Sequence, residues 1–98
     1  MQTLIKVRKV AAVAPYKLRL EFSDGTRGTY DCAPFIVGDA GPMVQPLKDE
    51  AYFARVFVEM GATTWPNGFD LAPWALQKEL DDAGLLEAAP VRGRDAAE

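Results

Sequence analysis

Trp65-Pro66-Asn67-Gly68-Phe69-Asp70-Leu71-Ala72-Pro73 packs a strand end, a tight turn and a helix start into nine residues. Trp65, Pro66, Asn67 and Gly68 form the structural turn: proline presets its own φ, and Gly68 takes a backbone conformation that side chains disfavour. Asp70 is read as the cap of the C-terminal helix, with Pro73 tolerated in its first turn, where a missing N–H costs nothing. Leu76, Leu80 and Ala83 then recur at helical spacing, and Gly84 stops the helix while Leu85 folds back on Leu80.

Working upstream, Arg55 to Glu59 and Ala62 to Trp65 read as a hairpin around Met60-Gly61, with Val56, Val58 and Trp65 on its buried face. A short helix over about Asp49 to Ala54 is capped by Asp49 and turns Phe53 inward. Asp31 to Pro46 is broken by Pro34, Gly38, Gly41, Pro42 and Pro46. It reads as a surface strap anchored by Phe35, Ile36, Met43 and Val44.

Lys17 to Phe22 alternates apolar and charged residues, the pattern of a half-buried strand. Ser23-Asp24-Gly25 then signals a second hairpin, with Asp24 and Gly25 as its turn residues. A two-residue loop would mix the faces. A turn closed by a left-handed Gly25 instead sets Leu20 opposite Gly28 and Leu18 opposite Tyr30, so that register is preferred. In the first strand, Leu4 to Val13, the apolar parity slips by one, predicting a bulge near Arg8-Lys9. Pro15 ends it.

The sum is an α+β domain over residues 1–88: a small antiparallel β-sheet with two hairpins, a short middle helix and a C-terminal helix. Residues 89–98 offer little to bury and read as a disordered tail. A length of 98 residues suits one domain, and 49% hydrophobic with 26% charged residues is a globular balance. A net charge of −3 argues against a general polyanion binder. The lone Cys32 precludes an internal disulfide. No apolar run approaches a membrane span, and the N-terminus lacks a signal-peptide pattern, so the expected localisation is cytoplasmic.

The chain contains no histidine, which removes the commonest general base and most zinc sites. Cys32 reads as a small buried hydrophobe without a cationic neighbour to activate it. Asp24, Asp31, Asp39, Asp49 and Asp70 are loop or element-terminal carboxylates with local roles. A ligand site would need two of them to converge, with Asp31, Asn67 and Asp70 as the candidates. No glycine run forms a phosphate loop. No metal or cofactor is expected. Lys6, Arg8, Lys9, Lys17 and Arg19 read as a solvated basic face rather than a DNA surface. Phe69 and Trp74 flank the turn. Together with Met43 and Val44 of the adaptable 38–46 segment, they are the candidate interaction residues.

Pro46-Leu47-Lys48-Asp49, Tyr52-Phe53, Val56, Val58, Trp65-Pro66-Asn67-Gly68 and Asp70-Leu71-Ala72-Pro73 resemble the bacterial family called domain of unknown function 2442, over about residues 4–80. The resemblance also includes the Leu18–Pro34 hairpin region. It implies a small α+β domain, sometimes fused to a helix-turn-helix, often standing alone beside another small family numbered 4160. That arrangement looks like a toxin–antitoxin pair. The resemblance carries no catalytic residues. This chain departs from the pattern at Trp74, where the family usually has a polar or acidic residue, and from Asp82 onward.

The leading expectation is a non-enzymatic, antitoxin-like protein-interaction module that binds a small protein encoded beside it, or a second copy of itself. The alternatives are a carboxylate-based metal- or small-ligand-binding enzyme and a DNA-binding accessory domain. An enzyme is disfavoured.

Overall fold

Clean alternation of apolar and charged residues builds the first sheet. In the computed structural model, which describes residues 4–38 and 41–88, β1 (Val7–Ala14), β2 (Lys17–Phe22) and β3 (Arg27–Asp31) form an antiparallel meander. Leu18, Leu20 and Phe22 are buried, and the register sets Leu20 opposite Gly28 and Leu18 opposite Tyr30, as expected. The predicted slip lies between Val7 and Lys9, and a second one between Ala12 and Ala14. The strand starts at Val7 rather than Leu4. Just upstream of it the Lys6 carbonyl still accepts from the Ser23 N–H at 2.7 Å, while the Val7 N–H turns to the Gly61 carbonyl, in a turn of the second sheet, at 2.8 Å.

That second sheet is the main departure from the expected single one. It comprises β4 (Phe57–Glu59), β5 (Ala62–Thr64) and β6 (Asp70–Leu71), all antiparallel in chain order. β4 begins after Val56 because the N–H groups of Arg55 and Val56 still bond back to Tyr52 and Phe53. Met60 (φ 52°) and Gly61 (φ 81°) are consecutive left-handed residues, the conformation of a two-residue hairpin turn.

Asp70 does not cap the last helix. It sits in β6 opposite Thr64, and α3 (Pro73–Asp82) is entered through Ala72 with no side-chain cap. The ladder has first claim on this backbone, and Pro73 holds the first helical turn.

Between the sheets the strap is more ordered than its breakers suggest. It holds α1 (Ala33–Ile36) and runs into a 3-10 turn (Gln45–Lys48), after which comes the expected short helix, α2 (Glu50–Phe53). Asp49 caps α2 as expected, its carboxylate accepting from the Ala51 N–H at 3.0 Å. Ile36, Val44 and Leu47 fasten the strap by burial.

Trp65, Phe53 and Phe22 are the largest fully buried side chains. Trp65 stacks between Phe53 and Phe69 at ring separations of 5.6 and 5.8 Å. Its indole N–H donates to the Phe53 carbonyl at 2.9 Å, so the one polar group of this buried ring is satisfied. Leu76 and Leu80 bring α3 onto this core. Beyond the helix, the Leu85 N–H closes on the Leu80 carbonyl, but the Leu85 side chain is 52% exposed. Leu86 packs on the core in its place. Glu87 then exchanges backbone bonds with Arg27, and residues 89–98, with the tail expected there, lie outside the described residues.

Candidate functional site

Among the described residues eight large apolar side chains are exposed, and three of them gather on one surface. Leu4 (78% exposed), Met60 (93%) and Trp74 (66%) come from three separate segments. With Ile5, Ala62 and Pro73 they line one shallow depression of about 320 Å³. Local rules explain each placement. Met60 is at a hairpin tip in a left-handed conformation, where its side chain cannot reach the core. Trp74 follows Pro73 in the first turn of α3, on the side away from Leu76 and Leu80. The segment preceding β1 crosses over Gly61, where a Cβ would lie 2.9 Å from Lys6 Cβ, and this crossing delivers Leu4 to the other two.

The four expected interaction residues divide. Trp74 is on this surface. Met43 is 45% exposed but sits on the strap, its carbonyl accepting from the Asn67 side-chain amide at 3.0 Å. Val44 is 3% exposed and belongs to the core, so it is no surface residue. Phe69 is half-buried between Trp65 and Phe35. Leu4 and Met60 are the residues that sequence reasoning missed. Met60-Gly61 at a hairpin tip was the available signal for one of them.

Asp31, Asn67 and Asp70 have separate duties. Asp31 ends β3 and accepts from the Ala33 N–H, whereas Asp70 is in the other sheet. Asn67 accepts from the Phe69 N–H at 3.1 Å while donating to Met43. Among the described residues no three His, Cys, Asp or Glu side chains gather as metal ligands would. Cys32 is fully buried, and burial, with Asp31 and Glu79 adding to it, pushes its thiol up to about 12, so the reactive thiolate is suppressed. Burial likewise raises the Tyr30 hydroxyl, which donates to Glu79 at 2.7 Å.

The basic face is partly self-neutralised. Arg19 meets the Glu87 carboxylate through both terminal nitrogens at 3.2 and 3.0 Å, and Arg8 and Arg27 share Glu21 at 3.5 and 3.6 Å. No helix among the described residues is long and apolar enough to cross a membrane.

Neither curated proteins nor solved structures yield a match to this chain. A family model described as "Protein of unknown function (DUF2442)" matches residues 7–81, from the first residue of β1 to the last turn of α3. That span includes both sheets and the whole strap, and on it the chain belongs to the DUF2442 family.

Proposed function

We propose that this chain is a non-enzymatic protein-interaction module of the cytoplasm, antitoxin-like, whose partner is a small protein encoded beside it. The observation that carries this reading is the grouping of Leu4, Met60 and Trp74, three large apolar side chains left exposed together in so small a domain. Single exposed apolar residues are ordinary, whereas a gathered patch with an aromatic at its edge is the usual mark of a protein interface. Trp74 supplies the anchor, since tryptophan combines large contact area with few rotamers to lose. A carboxylate site at Asp31, Asn67 and Asp70 has no comparable support, because Asp31 and Asn67 are engaged by local backbone and Asp70 belongs to the other sheet.

The test is co-expression with the product of the adjacent gene, followed by size-exclusion chromatography. Co-elution is expected, and Trp74→Ala should weaken the complex by roughly 1–4 kcal/mol, the range of anchor truncations, with the melting temperature unchanged. If the two proteins never co-elute while a metal or nucleotide raises the melting temperature, the ligand-site reading replaces this one.

A further inference from the structure

A second surface, distinct from the one around Trp74, lies between the two sheets. β1 hydrogen-bonds β2 on one side only, and β4 hydrogen-bonds β5 on one side only. The two facing edges are joined at one end by the Val7 N–H to Gly61 carbonyl bond. Beyond it β1 and β4 remain packed beside each other, but no backbone bond links them among the described residues, so the backbone groups on that edge of β1 have no strand partner. An unpaired strand edge is a row of backbone donors and acceptors ready for another strand.

Beside this edge is a groove of about 690 Å³. Val56, Phe57 and Val58 form its apolar wall, and Phe57 is 39% exposed there. Arg8, Lys9, Arg19 and Arg27 bring four positive charges to the lining, against the single carboxylate of Glu21. Glu87 answers Arg19. The remaining balance is still positive on a chain whose net charge is −3. Glu21 serves Arg8 and Arg27 only at 3.5 and 3.6 Å, longer than good charge-assisted hydrogen bonds. Arg27 Nε is buried without any acceptor among the described residues. Arg27 Nε is too buried to meet an incoming group, so the donors open to a second carboxylate are the terminal guanidinium nitrogens of the solvent-exposed Arg8 and the partly exposed Arg27.

We propose that this groove binds an extended acidic segment of a partner protein, added as a strand along the free edge of β1. Its carboxylates meet Arg8, Lys9 and Arg27, and an apolar side chain rests on Phe57. In an added strand alternate side chains share a face, so a segment alternating acidic and apolar residues presents both kinds of contact at once. A nucleic acid suits the groove less well. Glu21 and Glu87 stand among the cations, and Phe57 is the sole aromatic in the lining available for stacking. A second copy of this chain would bring two cationic edges together. The inference stands apart from the Trp74 surface, and either can fail alone.

The probe is a fluorescein-labelled eight-residue peptide of alternating glutamate and valine, titrated into the whole protein and read by anisotropy, with amide chemical shifts locating it. Saturable binding is expected, with shifts at residues 8–11 and 56–58. The alternating lysine–valine peptide should not bind. The exposed pair Arg8→Gln and Lys9→Gln together should weaken binding about tenfold or more, as loss of charge-assisted bonds does, without changing the melting temperature. A glutamate–valine peptide N-methylated at every residue keeps its charge but has no backbone donor on either edge, and it should lose binding to a similar extent. The proposal is overturned if the acidic peptide does not bind at millimolar concentration or if the N-methylated peptide binds equally well. It is also overturned if single-stranded DNA of the same length binds as tightly, if the shifts cluster at Trp74, or if the protein dimerises through β1.

Discussion

The turns at Phe22–Thr26 and Trp65–Phe69 are built on one plan. In each, the N–H of a glycine (Gly25, Gly68) returns to the carbonyl of the aromatic that starts the turn, at 2.9 and 2.8 Å. In each, that aromatic's own N–H reaches the carbonyl four residues on, and the glycine is left-handed, at φ 89° and 90°. Asp24 and Asn67 occupy the same position, and each accepts from the N–H two residues later. What differs is the surroundings. The first turn joins strands of six and five residues, whereas the second returns into a β6 of two. The first is tied to α3 by Gln77, which donates to Asp24 and Thr26; the second is tied to the strap through Asn67 and Met43. Identical turn chemistry therefore reads as a hairpin only when the flanking strands are long enough to show alternation.

The largest test of this likeness concerns the aromatics that open the turns, both fully buried. Phe22→Ala and Trp65→Ala should each cost about 3–5 kcal/mol in urea denaturation, the range for emptying a large aromatic site. Trp65→Ala should be the worse by about 1 kcal/mol, because it also removes the shorter of the two hydrogen bonds to the Phe53 carbonyl, leaving only the Val56 N–H at 3.3 Å. A smaller loss at Trp65 than at Phe22 would break the comparison. Next come the glycines. Gly25→Val and Gly68→Val should each cost on the order of 1–3 kcal/mol through a disfavoured backbone angle. At Gly68 a Cβ meets no atom within 4 Å, so the loss there is conformational alone. An unchanged melting temperature for Gly68→Val contradicts this account.

The smallest effect separates the two turns by pH. Burial raises the Asp24 carboxyl, but the Thr26 hydroxyl and N–H, with the Gln77 amide, outweigh that and hold it below its ordinary value. A folded-state value lower than the unfolded one contributes stability above the unfolded pKa and loses it as pH falls through the folded one. The contribution of Asp24 is therefore whole above about pH 5 and fades toward pH 3 and below. Asn67 does not titrate. Asp24→Asn should accordingly flatten part of the decline in denaturation midpoint between about pH 6 and pH 3, and Asn67→Ala should leave its slope alone. Equal slopes for wild type and Asp24→Asn would sink the distinction.

Much of the fold is legible along the chain. The β2–β3 register, the bulge after Val7, the Asp49 cap and the Gly84 stop all follow from contacts within a hairpin or a helical turn. The errors share a cause. Asp70 has the composition of a cap, yet its backbone is taken by Thr64 across the ladder. Leu85 has the position of a helix-end contact, yet Leu86 wins the core. The site was half legible. Trp74 is conspicuous after Pro73, whereas Val44 looks adaptable between breakers until its burial is known.

The sequence by itself determined what short-range chemistry can enforce: where the chain turns, which strand faces hold apolar residues, and that neither histidine nor a second cysteine is at hand. Only the tertiary structure decided that Leu4, Met60 and Trp74 meet on one surface, and that cationic β1 faces apolar β4 across an open groove. Turns and caps close within a few residues, so their partners are adjacent in the sequence. A surface is assembled from segments far apart in the chain, and their meeting depends on how the two sheets pack around Trp65, which no local pattern encodes.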